Sequence, residues 1–539
     1  MLEETPMNQT TDYYPARSWH RTAMAERQAS VSSYNRYVLY LVGIFSLLRL
    51  LAAFTLELGN DESYYWLYSQ RLQWNYFDHP PVVALWIRFF TANGALDHLE
   101  GFIRLGSVVG AALSTWALYK TVSLIHSPRA GWLAAVLYNI SFYASVISGI
   151  IIWPDSPQVV FWTSSLWMLA RIGRNDKDWG SWVLFGITSG LCIMSKVHGV
   201  FLWGGLGLYM LWKQRSWLLR PQLYVSALIT LVLISPIVIW NVQHDFVTYR
   251  FHSERVEVDH AAFNGRSFGE EVASQVLFNN PVLVFLAFAA LFSWKRRSFS
   301  SMPVLTIYNL IGLPLIAVLL GISLYRDTTL PHWSGPAYVT LVPLAAVQLA
   351  SMDTRRLFPK LLRWGVVAFF LFFIPWNGVV HFYPGTYGSQ DQKVLGKGDG
   401  SLDLYGWEEA GKAFTALSRR ERAAGIMPPN APLVTYKWWG AHVEYYFGRP
   451  SGRTMVGLGT TQNLHHYLWK NKEREASVDL SKAYCIMPSD EYYDVQKMYG
   501  RYYGIIKPIS TITTYRSGQP AHRFYVYRLS GWKGEVPVM

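Results

Sequence analysis

About eleven stretches of the chain are apolar enough, and nearly long enough, to cross a lipid bilayer. A spanning helix needs roughly 20 apolar residues, so a chain with this many stretches is predicted to be a polytopic α-helical membrane protein. The two stretches in 180–213 also fit one long hairpin or a re-entrant segment. The predicted spans lie at about 38–56, 102–125, 130–151, 156–173, 180–195, 197–213, 222–241, 272–293, 302–324, 334–351 and 361–381.

Composition indicates that a second, more polar part accompanies these spans. Charged residues make up 15% of the 539 residues and apolar residues 51%. Ordinary soluble proteins carry roughly 25% charged residues, and disorder requires the opposite composition, so disorder is excluded. The mean hydropathy of +0.12 is nevertheless low for a pure membrane bundle. Two cysteines, Cys192 and Cys485, cannot form a disulfide framework.

The formal net charge of +13 is interpreted as a signal of membrane orientation. Nucleic-acid binding would require a clustered, accessible basic surface, whereas these cations form short clusters between apolar runs. Cytoplasmic loops are enriched in Lys and Arg, and with eleven spans all the clusters fall on one side. The clusters are Arg17, Arg21, Arg27 and Arg36; Arg129; Arg171, Arg174 and Lys177; Lys213, Arg215 and Arg220; Lys295, Arg296 and Arg297; and Arg355, Arg356, Lys360 and Arg363.

This orientation predicts three parts: a cytoplasmic N-terminal segment over 1–37, a transmembrane domain over 38–381, and an outward, periplasmic domain over 382–539. We expect an integral protein of a bacterial inner membrane. Its first apolar run should remain as an anchor, because 36 polar residues precede it.

Strand-like and helical patterns alternate in the outward tail, which predicts a small α/β domain. The strand patterns lie at Leu433–Lys437, Ala483–Met487, Ile509–Tyr515 and Arg523–Tyr527, and the helical patterns near 406–424, 439–447 and 490–500.

The first outward loop, 57–101, is too long and too patterned for a simple connector. Asp61 and Glu62 lie where the first span ends, and an aromatic stripe follows at helical spacing. Asp78-His79-Pro80-Pro81 then precedes a second short apolar helix, since proline favours the first turn. We predict two interfacial helices that frame a cavity at the outer membrane surface. Simpler interpretations remain open: Asp61 as a helix cap, Glu62 as a solvated carboxylate and His79 as an interface histidine.

Other ionisable residues fall at outward helix ends or in outward loops. Asp155 lies in Trp153-Pro154-Asp155-Ser156-Pro157 and also fits a helix cap. Ionisable groups near a membrane are costly and tend to line polar cavities. Carboxylates with several cations on one face suit an anionic, lipid-linked substrate. The remaining members of this group are Lys196, His198, His244, Arg250, His252, Arg255, Arg326 and His332, and the polar Asn241 lies beside them in the sequence.

Six motifs, in order over about residues 38–350, give the chain a resemblance to a known family. They are Asn60-Asp61-Glu62-Ser63-Tyr64-Tyr65, Phe77-Asp78-His79-Pro80-Pro81, Pro154-Asp155-Ser156-Pro157, Met194-Ser195-Lys196, Ser235-Pro236 with Trp240-Asn241, and Pro331-His332-Trp333. The chain resembles the GT-C membrane glycosyltransferases of the family-39, dolichyl-phosphate-mannose-protein mannosyltransferase type. It is more distantly similar to the lipid A aminoarabinose transferases.

The resemblance implies a GT-C fold and inverting transfer of a sugar from a polyprenyl-phosphate carrier to an acceptor hydroxyl outside the cytoplasm. Asp61 would be the base that deprotonates the acceptor, with Asp155 a second catalytic carboxylate. His79, Lys196, Arg250 and Arg326 would bind the donor phosphate, and Glu62, Tyr65 and His332 the substrates.

Two departures from the family pattern qualify this resemblance. His79 replaces a lysine that relatives often have before the proline. Tyr436-Lys437-Trp438-Trp439-Gly440 is similar to a Trp-Trp-Asp motif of oligosaccharyltransferases but lacks the Asp, and is interpreted as strand packing.

The expected partners are the bilayer, the lipid-linked donor and an acceptor on protein, lipid A or surface glycan, without nucleic acid. We expect no cofactor and no obligatory metal, because neither an Asp-x-Asp nucleotide-sugar motif nor a metal-ligand cluster stands out. The main alternative is a transporter or flippase of lipid-linked sugars. Such proteins usually show internal repeats and polar sites near the membrane midplane, and no repeat is found in this sequence. A non-catalytic receptor or assembly subunit is a third interpretation.

Overall fold

The computed structural model describes residues 16–256, 263–293, 302–326, 331–474 and 478–538, and the chain is mostly helical. The basic cluster at 295–297 lies outside the described residues. Fifteen helices precede the C-terminal domain within the described part: α1 Ala16–Thr55, α2 Asn60–Gln70, α3 Val82–Phe90, α4 Glu100–Ile125, α5 Pro128–Asn139, α6 Asp155–Arg174, α7 Trp179–Ser195, α8 Val200–Lys213, α9 Pro221–Gln243, α10 Val247–Val256, α11 Gly265–Phe278, α12 Pro281–Phe292, α13 Pro303–Ser323, α14 Gly335–Met352 and α15 Lys360–Phe382.

Helices occupy all eleven predicted stretches, but eleven crossings are not confirmed. Among the described residues, six helices are long and apolar enough to cross a membrane. Counting one bent pair as a single span gives seven. Several other stretches form shorter helices, such as α7 with 17 residues and α8 with 14.

Two of the predicted spans are interrupted for local reasons. The stretch 272–293 is divided between α11 and α12, which meet at 102°. Asn280 has a positive φ of 68° there and Pro281 begins the next helix, a combination that ends one helix and starts another. In the stretch 130–151, α5 ends at Asn139 and a separate π-helical turn follows at Tyr143–Ile147.

The C-terminal domain contains a mixed five-stranded sheet flanked by short helices, which confirms a small sheet domain. Its strands are β1 Leu433–Thr435, β2 Met455–Gly457, β3 Lys482–Pro488, β4 Tyr503–Arg516 and β5 Gln519–Trp532, in the order β2-β1-β3-β5-β4. The pairs of β1 with β2 and β3 are parallel, and β5 is antiparallel to β3 and β4. The helices are α16 Trp407–Ala423, α17 Gly440–Val443, α18 Arg449–Ser451, α19 Thr461–Leu464, α20 Tyr467–Arg474 and α21 Val495–Tyr499.

The C-terminal domain and the first outward loop cap each other's helices. The Glu57 carboxylate accepts hydrogen bonds from the backbone N–H groups of Trp407 (2.7 Å) and Glu408 (3.2 Å) at the start of α16. In return, the Asp403 carboxylate accepts from the N–H of Asn60 (3.1 Å) at the start of α2. Carboxylates at helix N-termini stabilise the unpaired N–H groups and the positive end of the helix dipole. This reciprocal capping fixes the C-terminal domain over the helix that carries Asp61.

The aromatic stripe of α2 packs inside the protein, which corrects the expectation of an interfacial environment for this helix. Residues Glu62–Ser69 are buried, and Tyr64–Tyr68 share one apolar core with Trp439, Tyr445 and Tyr446 of the C-terminal domain. An amphipathic aromatic helix can cover a membrane surface or another domain, and its sequence pattern is the same in both cases. Helix α3 differs, because Leu85 and Phe89 are exposed.

Candidate active site

A polar cavity of about 120 Å³ lies between the first outward loop, one end of the helix bundle and the C-terminal domain. Six residues predicted for the site line it together: Asp61, Tyr65, His79, Asp155, Lys196 and His332. Its other lining residues are Tyr64, Asp78, Trp153, Pro154, Phe251, Trp333, Trp438 and His465. The structure therefore brings together residues that are far apart in the sequence. Asp61 and His332, for example, are separated by 271 residues.

Asp155 and Lys196 form a buried ion pair at one wall of the cavity. Lys196 Nζ lies 2.8 Å from Asp155 Oδ2, and the Tyr143 hydroxyl donates to Asp155 Oδ1 over 2.9 Å. Asp155 is the first residue of α6, but Pro154 holds the N-cap position. The capping interpretation of Asp155 is therefore not supported, and its oxygens are engaged by Lys196 and Tyr143. Lys196 is the C-cap residue of α7, and its Nζ lies 5.8 Å from the Trp333 ring centre.

Asp61 lines the cavity from the first turn of α2, and other groups cap that helix. The N-cap residue is Gly59, whose N–H donates to the Glu62 carboxylate over 2.9 Å, and Asp403 caps Asn60. A cap role for Asp61 therefore has no support in the geometry. Asp61 is instead one of the residues that line the polar cavity.

Tyrosines of α2 lie near Asp78, a further carboxylate of the first outward loop. The Tyr68 hydroxyl donates to Asp78 and lies 3.0 Å from the Tyr64 hydroxyl. Burial, and secondly the charge of Asp78, raise the pKa of Tyr64, Tyr65 and Tyr68 well above the ordinary tyrosine value. These hydroxyls consequently stay protonated and can donate hydrogen bonds throughout the physiological range. His79 lies beside them, with its ring centre 5.7 Å from that of Tyr65.

An apolar groove of about 400 Å³ adjoins the polar cavity. Asp78, His79, Lys196 and Trp333 line both spaces. The groove runs between α8, α9 and α13, and its walls include the half-exposed Val200 and Val318. The two spaces thus meet at a cation, a histidine, a carboxylate and an indole ring, with carbon surface on one side and polar groups on the other.

Comparison with known proteins relates this architecture to a group of enzymes. Residues 78–240 match the family model described as dolichyl-phosphate-mannose-protein mannosyltransferase. The lipid A galacturonosyltransferase RgtD of Rhizobium johnstonii is 22% identical over 399 residues, which cover 73% of this chain and 80% of the relative. The crystal structure of apo ArnT from Cupriavidus metallidurans superposes with a TM-score of 0.60 at 13% identity, covering 93% of this chain and all of that one. ArnT bound to undecaprenyl phosphate gives 0.58 at 14% identity, with coverages of 92% and 99%.

The chain has a GT-C fold. The family match over residues 78–240, the curated relative and the shared fold agree with the resemblance stated from the sequence motifs. The transporter alternative is accordingly disfavoured.

Glu62 does not line the cavity of this GT-C protein, and its position corrects the substrate-binding role expected for it. It is 1% exposed and paired with the fully buried Arg104, whose Nε and Nη2 donate to the carboxylate over 2.7 and 2.5 Å. The backbone N–H groups of Gly59 and Ile152 also donate to it. Glu62 thus joins the start of α2 to α4 and to the turn before α6.

Replacing Glu62 with Ala is expected to destabilise the protein by about 3–5 kcal/mol, since it leaves the Arg104 guanidinium buried without its counterion. Thermal unfolding in detergent or nanodiscs would measure this change. Glu408→Ala is the control, because its pair with Lys412 is a surface i,i+4 pair and should contribute less than about 1 kcal/mol. Equal stability of the Glu62→Ala variant and the control would contradict the assignment.

Arg250 and Arg326 do not line either cavity, in contrast to their predicted phosphate-binding role. Arg250 is exposed on α10, and Arg326 follows the end of α13. These two residues were predicted because they are positively charged and lie on the predicted outward side of the membrane. Neither property specifies the direction of a long side chain. Lys196 and the histidines therefore provide the cationic or potentially cationic groups among the described lining residues.

Sequence reasoning missed the two lining residues that come from the C-terminal domain, Trp438 and His465. The motif around Trp438 was interpreted as strand packing, but β1 ends at Thr435 and Trp438 follows in the next turn. Asp78, Tyr64, Phe251 and Trp333 were also not assigned to the site. Adjacency to His79 and His332 was the available signal for Asp78 and Trp333. Nothing in the sequence indicated His465.

Among the described residues no group of three or more His, Cys, Asp or Glu is arranged to hold a metal ion, and independence from metal stays a prediction.

Proposed function

We propose that the chain is an inverting glycosyltransferase that moves a sugar from a polyprenyl-phosphate carrier to an acceptor hydroxyl on the outer membrane face. The observation that carries this proposal is the junction of the apolar groove with the polar cavity at His79 and Lys196. A polyprenyl chain would occupy the groove, its phosphate the junction, and its sugar the polar cavity. The related ArnT structure with undecaprenyl phosphate supports a lipid phosphate of this class.

The positions of the charged groups support the following reaction. The Asp61 carboxylate accepts the proton of the acceptor hydroxyl, and the acceptor oxygen forms a bond to the anomeric carbon. The bond from that carbon to the phosphate oxygen breaks on the opposite face, and its electron pair leaves with the phosphate. Lys196 and His79 lie where they would stabilise the departing phosphate. Preorganised charge of this kind is usually the largest contribution to catalysis, and a phosphate leaving group needs no separate carboxylic acid.

Transfer itself is the direct test of this function. The protein in nanodiscs is expected to transfer a radiolabelled sugar from undecaprenyl-phosphate donors to lipid A, surface glycan or peptide acceptors. Nuclear magnetic resonance of the product would establish inversion. Absence of transfer from every polyprenyl-phosphate sugar, with well-folded protein, would refute the proposal, as would retention of anomeric configuration.

Filling the groove is expected to block the lipid without disturbing the polar cavity. Val318→Trp places a large ring in the groove and should weaken undecaprenyl phosphate binding by about ten-fold, or roughly 1.4 kcal/mol. Val367→Trp is the matched control, because Val367 has similar exposure on α15 (44% against 50% for Val318) and does not line the groove. Binding of fluorescent undecaprenyl phosphate measures both variants, and equal affinities would show that the lipid lies elsewhere.

A further inference from the structure

Two aromatic rings of the C-terminal domain lie in the polar cavity and are absent from the apolar groove. Trp438 and His465 line the space that contains Asp61, whereas the groove shares only Asp78, His79, Lys196 and Trp333 with that space. The pair therefore lies outside the set of residues that the two spaces share. Trp438 and His465 are the only C-terminal-domain residues among the described lining residues of the cavity.

The two rings are nearly parallel and pack against aromatic residues of the first outward loop. His465 and Trp438 have an interplanar angle of 7° with centres 5.9 Å apart. On the bundle side, His465 stacks on Phe77 at 4.4 Å and 12°, and Tyr64 meets Trp438 edge-on at 5.3 Å. The backbone N–H of Trp438 donates to the backbone carbonyl of Asn463 over 2.8 Å, which ties the two loops together.

The backbone conformation of His465 indicates that the surrounding residues impose the position of this side chain. Its φ of 49° lies in the left-handed region, which residues other than glycine rarely adopt. Such conformations persist only where the surroundings impose them, and they cluster at binding sites. The packing with Phe77 and Trp438 provides these surroundings, so the Trp438 and His465 rings are preorganised before any substrate arrives.

The geometry of the displacement indicates which substrate contacts Trp438 and His465. This step rests on the proposed function. In an inverting displacement the acceptor approaches the anomeric carbon from the face opposite the leaving phosphate. The phosphate would lie at Lys196 and His79, so the acceptor enters through the part of the cavity beyond Asp61. Trp438 and His465 line the polar cavity and not the groove, so we assign them to the acceptor.

We infer that Trp438 and His465 form a binding platform for the sugar ring of a saccharide acceptor, which Asp61 deprotonates. The apolar C–H face of a pyranose packs on flat aromatic rings, while its hydroxyls hydrogen-bond to carboxylates such as Asp61 and Asp78. A serine or threonine side chain offers no such face. The acceptor class is therefore a pyranose carried on a lipid or glycan, and the C-terminal domain contributes to its selection.

Saturation-transfer nuclear magnetic resonance on the full-length protein tests this platform directly. Nanodiscs are needed, because the head group of maltoside detergents is itself a sugar. The probe is methyl N-acetylglucosaminide at millimolar concentration. We expect saturation of its ring C–H protons by wild type and Trp438→Phe, and loss of the signal in Trp438→Ala. No signal in wild type, or equal signals in wild type and Trp438→Ala, would overturn the inference.

Kinetics separate this inference from the proposed function. With lipid A as acceptor and an undecaprenyl-phosphate sugar as donor, Trp438→Ala should raise the acceptor KM about ten-fold and leave the donor KM unchanged. Trp74→Ala is the matched control, since Trp74 is 70% exposed in the first outward loop and does not line the cavity. A rise in the donor KM alone, or preferred transfer to a serine or threonine peptide, would refute the platform. Failure of the proposed function would differ, because wild type would then transfer no sugar while saccharide binding persisted.

Discussion

The Asp61→Asn variant is expected to transfer sugar about 10²–10⁴ times more slowly than wild type, with unchanged stability. General-base catalysis by a positioned carboxylate contributes a factor of this size. Asparagine has nearly the same shape but cannot accept the acceptor's proton. Initial rates with a polyprenyl-phosphate donor at saturating acceptor measure the effect, and thermal unfolding measures stability.

An Asp61→Ala variant distinguishes catalysis from helix capping, because asparagine caps a helix about as well as aspartate. If Asp61 capped α2, the alanine variant would lose about 1 kcal/mol of stability with little change in rate. Gly59, Glu62 and Asp403 already bind the first N–H groups of this helix, so we expect no such loss. Glu408→Gln is the matched control for Asp61→Asn, as a carboxylate-to-amide change on the surface of α16. Full activity of Asp61→Asn would exclude Asp61 as the base.

The positions of the helices could be predicted from the sequence because apolar runs and their breaks are local properties. Helix α4, expected at 102–125, spans Glu100–Ile125. The number of crossings could not be predicted equally well. Short helices such as α8 and the bend at Asn280 depend on packing between segments, and a hydropathy pattern contains no information about that packing.

The cavity was predicted in part because topology places many polar residues at the same end of the bundle. Asp155 and Lys196 are 41 residues apart, and the prediction that both lie at outward helix ends was enough to bring them together. Glu62 follows the same rule, yet the structure pairs it with Arg104 in α4. A carboxylate that stabilises packing and one that faces a substrate have the same sequence signature when the partner lies on a distant helix.

The C-terminal domain shows the limit of local patterns more clearly. The long pair β4 and β5 was partly predicted at 509–515 and 523–527, because alternating residues indicate strands. Strand β2 has three residues and was not predicted, because it is defined by its pairing with β1 and not by a local sequence pattern. The cavity residues Trp438 and His465 lie in turns between such elements. Their role depends on how the domain docks, through contacts such as Glu57 with Trp407 and Asp403 with Asn60.

The Lys196→Met variant is expected to lose both stability and transfer. Removing the ammonium leaves the Asp155 carboxylate, 2% exposed, without its cation, which costs about 3–5 kcal/mol in buried pairs. It also removes the cation shared by the polar cavity and the groove, so binding of undecaprenyl phosphate should fall. Thermal unfolding and lipid binding measure the two losses separately.

A double variant, Lys196→Met with Asp155→Asn, separates the structural role of Lys196 from its phosphate role. Neutralising Asp155 removes the uncompensated charge, and Tyr143 can still donate to the amide oxygen of the new side chain. Most of the lost stability should therefore return, because replacing both members of a buried pair is often nearly neutral. Lipid binding and transfer should not return, because the phosphate still lacks its cation. Recovery of transfer together with stability would instead show that Lys196 serves only to compensate Asp155, and the phosphate would then have to be held by other groups such as His79.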